Sequence, residues 1–216
     1  MKPSSALIAQ FHNPSGIVGR LAGWIMAHRS SNLERNQWTL DLLRLKSTDR
    51  VLELGPGPGV TLGLICEQIT SGLAVGVDHS ATMLASCGKH NRQAIQDGRL
   101  KLIQADFTDL PELPGPFDRI IAVNSLQFDG MSQETLQSIV ARLAPEGQLA
   151  VTFQPRGKTP SRDKALAFAD RLTQLLAKAG LTSARVEELP MTPVPAICVL
   201  ASRDPEVPQT DRQKTT

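Results

Sequence analysis

The stretch VLELGPGPGVT, residues 51–61, places an acidic side chain next to a loop that a ligand could approach closely. Glu53 lies at the end of a short apolar run, and Gly55, Gly57 and Gly59 follow at alternate positions. Glycines let the backbone turn tightly and let a ligand contact the main chain without meeting a Cβ atom. A plain strand-to-helix turn would use the same residues, so the loop alone does not identify a ligand.

The spacing of the glycines argues against two common phosphate ligands. A dinucleotide-binding loop has the pattern Gly-x-Gly-x-x-Gly or Ala, whereas Val60 occupies the last position here. The P-loop of nucleoside triphosphate-binding proteins requires Gly-Lys-Ser/Thr, which this stretch lacks. Glu53 would repel a pyrophosphate and would attract a ligand that carries an ammonium group.

Two further carboxylates stand where later strands are expected to end. Asp78 ends the apolar run 73–78, and Asp106 ends the run 100–106. In an open parallel sheet, ligands bind at the carboxyl ends of the strands. A carboxylate at Asp78 is suited to accept both hydroxyls of a ribose, and Asp106 with its neighbouring backbone is suited to an adenine edge. A ligand with an amine, a ribose and an adenine but no phosphate is S-adenosylmethionine.

The order of these motifs resembles that of class I S-adenosylmethionine-dependent methyltransferases. The resemblance covers roughly residues 50–155 and rests on five segments in order. They are VLELGPGPG, VGVDHSATML, LIQADFTDLP, FDRIIAVNSLQF and LAPEGQLAVTF. A single glycine loop is a weak signal, whereas five motifs in the family's order are specific.

The resemblance implies both a fold and a set of cofactor-binding residues. The implied fold is α/β, a doubly wound, seven-stranded, mostly parallel sheet (Rossmann-like) with six parallel strands and a final antiparallel one. The methionine half of S-adenosylmethionine would contact Glu53, Gly55 and Asn124, and Gly57 and Gly59 would lie against the cofactor. The adenosine half would contact Asp78 at the ribose, Asp106 at the adenine amino group, and His79, Met83 and Phe107.

Some of these residues have an ordinary structural alternative. Met83 and Phe107 would equally fill core, and His79 would equally be an exposed loop residue. The alternative is weaker for Asp78 and Asp106, because a carboxylate at a strand end beside a cleft usually has a partner.

The pattern of apolar runs indicates the elements that would position these residues. Short runs alternate with helix-like segments, which predicts a parallel sheet covered on both faces. A helix at about 161–179, ended by Gly180, and a hairpin through Pro190–Pro195 complete the pattern. The expected strands are 51–54, 73–78, 100–106, 118–124, 147–153, 184–189 and 196–202.

Two helices are expected before the glycine loop. Ile17, Leu21 and Ile25 recur at four-residue spacing in the first, and the second begins at about Asn32 as N-cap. The apolar side of the second helix is expected to hold Leu33, Trp38, Leu40, Leu42, Leu43 and Leu45. We therefore divide the chain into a helical lid segment (1–48), a methyltransferase domain (49–203) and a disordered tail (204–216).

Composition and charge limit the function classes. A length of 216 residues, 41% hydrophobic residues and a mean hydropathy of −0.13 fit one globular domain. Residues 51–150 carry six Lys and Arg against eleven Asp and Glu, which disfavours nucleic acid as substrate. The three widely spaced cysteines form no metal-ligand pattern, so no metal is expected. The chain shows neither a signal-peptide pattern nor a run long enough to span a bilayer, so we expect a cytoplasmic protein.

The methyl acceptor is less clearly indicated. Methyl transfer from a sulfonium can proceed by positioning alone, and no histidine lies in a pattern that marks a general base, so the catalytic residues are unknown. The segment Asn124–Gln127 lacks the Asn/Asp-Pro-Pro-Tyr/Phe pattern of enzymes that methylate nucleobase or glutamine amino groups. Asn32, Asn36 and Trp38 are either substrate contacts or part of a packed helix pair with a buried Trp. Arg156, Lys158 and Arg162 either meet an anionic substrate or are simply solvated.

Several functions remain open at this point. The leading one is a methyltransferase that acts on a small molecule through an O, N or C acceptor. A phospholipid N-methyltransferase at the membrane surface is a second candidate, because residues 1–50 are basic and Trp24 lies on an amphipathic helix. A third is a non-catalytic module that binds S-adenosylmethionine, and a fourth is a nicotinamide-dependent enzyme on a similar sheet.

Overall fold

A seven-stranded sheet forms the centre of the structure, a computed structural model that describes residues 30–126 and 131–203. The strands are β1 (Arg50–Leu54), β2 (Leu73–Asp78), β3 (Leu100–Gln104), β4 (Phe117–Val123), β5 (Leu143–Phe153), β6 (Ser183–Leu189) and β7 (Ala196–Ser202). The helices are α1 (Ser30–Leu43), α2 (Val60–Gln68), α3 (Ala81–His90), α4 (Arg92–Gln96), α5 (Gln133–Ala141) and α6 (Arg162–Lys178).

The strand order is β3-β2-β1-β4-β5-β7-β6. The first five strands pair in parallel, and β7 pairs antiparallel with both β5 and β6. The strands β1, β2 and β3 therefore follow one another toward one edge of the sheet, and β4 pairs with the other side of β1. Ligands of such sheets bind where the order reverses, which here is between the carboxyl ends of β1 and β4. The predicted fold, with its hairpin and single antiparallel strand, is confirmed.

Side chains alternate across each strand and so build two separate cores. On β1, Leu52 and Leu54 face the core beneath α5 and α6, whereas Val51 faces the core beneath α1 and α2. The second core also contains Leu40, Leu43, Leu62, Ile65, Ile69, Ile121 and Ala150. Glu53, two residues after Val51, therefore points to the same side of the sheet as α1 and α2.

Three features of the helices differ from the sequence-based expectations. The helix α1 begins at Ser30, so Asn32 lies within its first turn and is not the N-cap. Leu33 is not on the apolar side of that helix, since 47% of its surface is exposed and the buried face follows Asn36, Leu40 and Leu43. The short helix α4 is an addition to the expected elements, because its five residues contain only two apolar positions.

The end of α1 also differs, because the helix stops at Leu43 and Leu45, which was expected on its apolar side, lies beyond it. The expected end of α6 is confirmed. The helix α6 ends at Lys178, and Gly180 follows in a left-handed conformation with φ of 96°, as expected for a helix-ending glycine. Residues 1–29, which include the first expected helix, and the tail from residue 204 lie outside the described residues. In the part of the chain that is described, we find no helix whose length and apolar character would suit a membrane span.

Candidate functional site

The glycine loop joins β1 to α2 at the point where the strand order reverses. Gly55, Gly57 and Gly59 all have positive φ, at 71°, 53° and 85°. A Cβ added to Gly55 would lie 2.6 Å from the Cβ of Ser125, and one added to Gly59 would lie 2.3 Å from the Sγ of Cys87. At Gly57 an added Cβ would meet no atom of the described residues within 4 Å. Two of the glycines are thus required by packing, and the middle one faces open space.

Glu53 is a buried acid that the protein only partly satisfies. Its exposed fraction is 2%, and the Thr61 side chain hydrogen-bonds to it. Its Oε2 atom has no hydrogen-bond partner among the described residues. Burial raises the pKa of this carboxyl to about 8; the Thr61 hydrogen bond opposes the rise and the negative charge of Asp78 adds to it. A ligand cation that reached Glu53 would satisfy the free oxygen and favour the ionised form.

Asp78, at the end of β2, connects the glycine loop to the start of α3. Its Oδ2 accepts a hydrogen bond from the Gly57 amide at 3.0 Å, and its Oδ1 accepts one from the Ser80 amide at 2.9 Å. The carboxylate is 5% exposed, and each of its oxygens retains a lone pair for a further donor. Asp78 therefore orders the binding loop whether or not it also holds a ribose.

His79 and Met83 lie beside Asp78 in very different surroundings. The Nδ1 atom of His79 lies 3.7 Å from Oδ1 of Asp78, and 37% of the His79 side chain is exposed. Met83 lies in the first turn of α3 and is only 3% exposed. The structure thus leaves His79 accessible at the end of β2 and buries Met83.

Asp106 lies two residues beyond the end of β3, rather than at its last position as the sequence predicted. The strand stops at Gln104, and Asp106 opens a turn in which its Oδ1 accepts hydrogen bonds from the amide and the hydroxyl of Thr108, at 2.9 and 2.8 Å. Those two hydrogen bonds hold the pKa of Asp106 below its ordinary value. Phe107 beside it is 8% exposed and belongs to the core beneath α5 and α6. Phe107 therefore fills core, which is one of the two roles that the sequence allowed.

Asn124 stands immediately after β4 and fixes the edge between β4 and β5. Its φ is 52°, a left-handed conformation that asparagine tolerates better than most residues. Its amide donates to the Thr152 carbonyl at 2.8 Å, and its Oδ1 accepts from the Gln154 amide at 2.8 Å. The carboxyl end of β4 therefore places Asn124 across from the glycine loop.

Four residues that support this site were not singled out from the sequence as cofactor contacts. The hydroxyl of Ser125 donates to the Leu54 carbonyl at 2.7 Å, and Asn91 Nδ2 donates to the Gly59 carbonyl at 2.9 Å. Thr61 bonds Glu53, and the Ser80 hydroxyl accepts from the Met83 amide as the N-cap of α3. Only Ser80 had a recognisable sequence signal, a serine immediately before a helical segment.

The polar residues of α1 lie at the carboxyl end of β5. Arg35 is 4% exposed and Asn36 is 8% exposed, whereas Trp38 is half-buried against the core beneath α1 and α2. Arg35 Nη1 donates to Gln154 Oε1 at 2.8 Å. Of the three cations that follow β5 in the chain, Arg162 is the first residue of α6 and pairs with Glu188, at 2.6 Å between Nη2 and Oε2.

A surface groove of about 580 Å³ lies between α2 and the segment from His90 to Arg99. None of the residues predicted to bind the cofactor lines it. Asn91, which donates to the Gly59 carbonyl, also lines the groove, so the groove adjoins the outer side of the glycine loop without containing the predicted contacts.

Comparison with known proteins identifies the family. Residues 51–147 match the family described as "Methyltransferase domain". Over this region the chain is a class I S-adenosylmethionine-dependent methyltransferase domain. The matched residues run from the first residues of β1 to Gly147 within β5, so they include every predicted cofactor-binding position.

This methyltransferase has relatives over different shares of its length. It is 28% identical over 184 residues to the uncharacterized methyltransferase YdaC of Bacillus subtilis, covering 85% of this chain and 98% of that protein. It is 33% identical over 122 residues to trans-aconitate 2-methyltransferase of Delftia acidovorans, covering 55% of this chain and 44% of the relative. The chain thus spans less than half of the second relative.

A solved structure shares the fold. An S-adenosylmethionine-dependent methyltransferase from Aquifex aeolicus superposes with a TM-score of 0.64 at 18% identity, over 80% of this chain and 93% of that one. This likeness concerns the architecture, which places the carboxyl ends of β1, β2 and β4 along one edge of the sheet.

The methyltransferase has residues that fit S-adenosylmethionine, the cofactor of its family. The buried oxygen of Glu53 lacks a partner among the described residues and suits an ammonium group. Gly57 leaves room for a ligand against the main chain. The chemistry of this donor set therefore agrees with a ligand that carries a cation and hydroxyl groups.

Proposed function

We propose that this methyltransferase transfers a methyl group from S-adenosylmethionine to a small-molecule acceptor. The observation that carries the cofactor assignment is the buried, incompletely satisfied carboxylate of Glu53 beside the open face of Gly57. The small-molecule acceptor is supported by the relative that is named for trans-aconitate. It is also supported by the polar end of α1, which lies at the carboxyl end of β5.

Each site residue has a proposed role in holding the cofactor. Glu53 accepts a hydrogen bond from the ammonium group, and Asp78 accepts the ribose hydroxyls while it holds the Gly57 amide. Asp106 is the proposed acceptor for the adenine amino group, with His79, Met83 and Phe107 around the adenosine. Gly55, Gly59 and Asn124 complete the set on the methionine side. When bound, S-adenosylmethionine supplies a methyl group on a positively charged sulfur, which is open to in-line displacement.

The protein's own contribution to the reaction is then positioning. The carboxyl edges of β1, β4 and β5 hold the two reactants, and a nucleophile held at roughly 3 Å from the methyl carbon needs little further assistance. We assign no general base: the Nδ1 atom of His79 lies 3.7 Å from Oδ1 of Asp78, on the side of the site proposed for the adenosine. Positioning two molecules in a site that excludes water accounts for the catalysis proposed here.

A labelling experiment separates the proposed function from the remaining candidates. The protein is incubated with S-adenosylmethionine carrying a labelled methyl group and a cell extract, and the label is followed by fractionation. We expect it in the small-molecule filtrate. Label in the lipid fraction would instead support the phospholipid N-methyltransferase. Bound cofactor without labelled product would support a non-catalytic module. The cytoplasmic location and the exclusion of nucleic acid remain predictions.

A further inference from the structure

The inner face of α1 changes character along its length. Leu40 and Leu43, in the second half, pack into the core beneath α1 and α2. The first half instead places Arg35 and Asn36 against the sheet, with exposed fractions of 4% and 8%. Thr39 lies between the two halves and its hydroxyl contacts that of Thr152 on β5 at 2.7 Å. The polar half of this face therefore lies at the carboxyl end of β5.

The guanidinium of Arg35 is held in place by neutral groups. Its Nη1 donates to Gln154 Oε1 at 2.8 Å, and its Nη2 donates to Asn32 Oδ1 at 3.0 Å. Its Nε is buried and has no hydrogen-bond partner among the described residues. A guanidinium has five N–H donors, so these two bonds leave most of its capacity unused.

The charge of Arg35 is not balanced by an acid in the described part of the chain. Over residues 30–126 and 131–203, no carboxylate lies within 4.0 Å of the Arg35 guanidinium. Arg156 donates to the same Asn32 oxygen at 2.7 Å, which brings two guanidinium groups around one amide oxygen. Burial, with a smaller effect of the Arg156 charge, lowers the pKa of Arg35 to about 10, so Arg35 remains charged at neutral pH. A buried charge without a counter-charge is costly, and a bound anion removes that cost.

The position of Arg35 separates it from the place proposed for the cofactor's amino acid group. Gln154 holds the guanidinium and itself donates from Nε2 to the Val194 carbonyl at 2.9 Å, in the loop before β7. The strand β5 is two positions from β1 in the sheet, which corresponds to about 10 Å. In the cofactor, the ammonium group and the carboxylate group are attached to the same carbon atom. If Glu53 on β1 holds the ammonium, that carboxylate lies near β1 and not at Arg35.

We infer that Arg35 and Arg156, with Asn32 between them, form a binding site for a carboxylate group of the methyl acceptor. Guanidinium groups match the planar geometry of carboxylates and form two parallel hydrogen bonds with them. The side-chain amide of Asn36, one residue along the same face, provides a further polar contact for the acceptor. This inference rests on the proposed function and narrows its substrate class to small carboxylic acids.

Acetate is the probe for this site, because it presents a carboxylate group without the rest of the acceptor. Its binding therefore does not depend on the shape of the acceptor. Acetate replaces chloride at constant ionic strength, and the thermal midpoint is followed with saturating S-adenosylhomocysteine and without it. We expect the midpoint to rise with acetate in the wild type. In Arg35→Met the apparent dissociation constant for acetate should be at least about tenfold higher, because a charge-assisted contact is lost. An equal response in wild type and variant, or no response in the wild type, overturns the site.

A second variant and a control make the result independent of the folding of Arg35→Met. Arg156 is exposed, so Arg156→Met should fold normally and still weaken the acetate response several-fold. Arg162→Met is the control, since Arg162 is also exposed and already pairs with Glu188. It should retain the wild-type response. A larger response to phosphate than to acetate would overturn the assignment to a carboxylate.

Calorimetric titration of Arg35→Met distinguishes the acceptor from the cofactor as the source of the carboxylate. We expect S-adenosylhomocysteine and 5′-methylthioadenosine, which lacks the amino acid group, each to bind within about twofold of the wild-type value, because Arg35 contacts neither. Loss of S-adenosylhomocysteine affinity alone would mean that Arg35 holds the cofactor's own carboxylate, which overturns the inference. If the wild type binds no S-adenosylhomocysteine, the proposed function fails, and the acetate response without cofactor still decides the anion site.

Discussion

Glu53 shows at the scale of one residue how burial and chemistry combine. Its ordinary role as an acid would place it in water, yet it is 2% exposed and one of its oxygens has no partner among the described residues. The sequence indicated its importance, because an acid at the end of an apolar run and before a glycine loop is unusual. The sequence did not indicate its burial or its link to Thr61, which depend on how α2 packs against β1.

The raised pKa of Glu53 predicts how stability depends on pH. The pKa is about 8 in the folded protein against an ordinary value of 4.5, so the folded state retains a proton that the unfolded state has lost between these values. The free energy of unfolding should therefore fall as pH rises from about 5 to about 8. In Glu53→Gln this contribution is absent, and we expect the loss across that window to be smaller by on the order of 3 kcal/mol.

Urea denaturation at several pH values, without cofactor, measures this dependence. Glu67→Gln is the matched control, because Glu67 lies on the adjacent helix α2 but is exposed. It should follow the wild-type curve. Parallel curves for wild type and Glu53→Gln would show that Glu53 is ionised in the folded protein at neutral pH.

Gly57 and Gly98 form a natural pair for separating ligand contact from backbone strain. Both have positive φ, at 53° and 72°, and an added Cβ at either meets no atom of the described residues within 4 Å. Gly57→Val and Gly98→Val should therefore lose similar stability, roughly 1–2 kcal/mol, from a left-handed conformation. Only Gly57→Val should weaken S-adenosylhomocysteine, by at least about tenfold, because its side chain occupies the space where the ligand meets the backbone.

Calorimetric titration together with thermal unfolding checks this pair. Gly98 precedes β3 and so lies at the opposite edge of the sheet from the proposed site. Normal binding by Gly57→Val would show that this part of the loop does not contact the cofactor. Weakened binding by both variants would show that general destabilisation is responsible.

At the scale of elements, Asp78 and Asp106 differ in what they join. Asp78 is 5% exposed and hydrogen-bonds both to the glycine loop and to the residue that precedes α3. Asp106 is exposed and hydrogen-bonds only within its own turn. We expect Asp78→Ala to weaken S-adenosylhomocysteine more than Asp106→Ala does. Asp78 would lose two charged hydrogen bonds to the ribose, each worth roughly 1.5–3 kcal/mol, and also the order of the loop.

Calorimetry on both variants decides this order, provided that circular dichroism shows each to be folded. Equal or reversed losses would mean that the ribose is held elsewhere, with His79 or Ser80 as the nearest candidates. The buried amide contacts of Asp78 would then be its complete role.

The contact between α1 and β5 allows a test by double substitution. The hydroxyls of Thr39 and Thr152 are fully buried and lie 2.7 Å apart. Either Thr39→Val or Thr152→Val should cost about 1–2 kcal/mol, because the remaining hydroxyl loses a partner. The double variant should cost less than the sum of the two. Urea denaturation of all four proteins measures the difference, and strictly additive losses would mean that the hydroxyl pair contributes nothing.

The comparison of elements with the sequence shows which features were predictable. All seven strands were predicted. The buried parallel strands were recognisable because such a strand is a nearly continuous apolar run, such as residues 73–78. The end of β3 was not predicted correctly, because Ala105 extends the apolar pattern of the strand although the backbone has already left the sheet at that residue. The start of α1 was also missed, because Ser30 and Asn32 are both acceptable caps and only packing decides between them.

At the scale of the whole molecule, cofactor binding should stabilise the fold. S-adenosylhomocysteine binds only the native state, so a hundredfold excess over its dissociation constant adds about 2.7 kcal/mol to the free energy of unfolding. The thermal midpoint should therefore rise, as followed by differential scanning fluorimetry. NAD at the same concentration is the control and should cause no rise. A shift with NAD alone would support the nicotinamide-dependent enzyme.

The architecture was predictable from the resemblance, whereas the acceptor side was not. Five motifs in order specify the sheet and the proposed cofactor edge, and the resemblance rests on these segments. Arg35 carries no such signal, since an arginine in a helix of mixed composition is usually exposed. Its burial follows from the contact with Gln154, 119 positions later in the chain, which no local pattern encodes.

Gln154 connects the two halves of the site through three hydrogen bonds. Its backbone N–H donates to Asn124 Oδ1 beside the cofactor edge. Its side-chain oxygen accepts a hydrogen bond from Arg35, and its side-chain nitrogen donates to the Val194 carbonyl. An anion that draws Arg35 away from this glutamine also alters the surroundings of Asn124. Thermodynamic linkage then requires reciprocity: whatever factor the acceptor applies to cofactor affinity, the cofactor must apply to acceptor affinity. The two reactants of this enzyme would thus bind cooperatively, with the sign of the cooperativity set by one uncharged side chain.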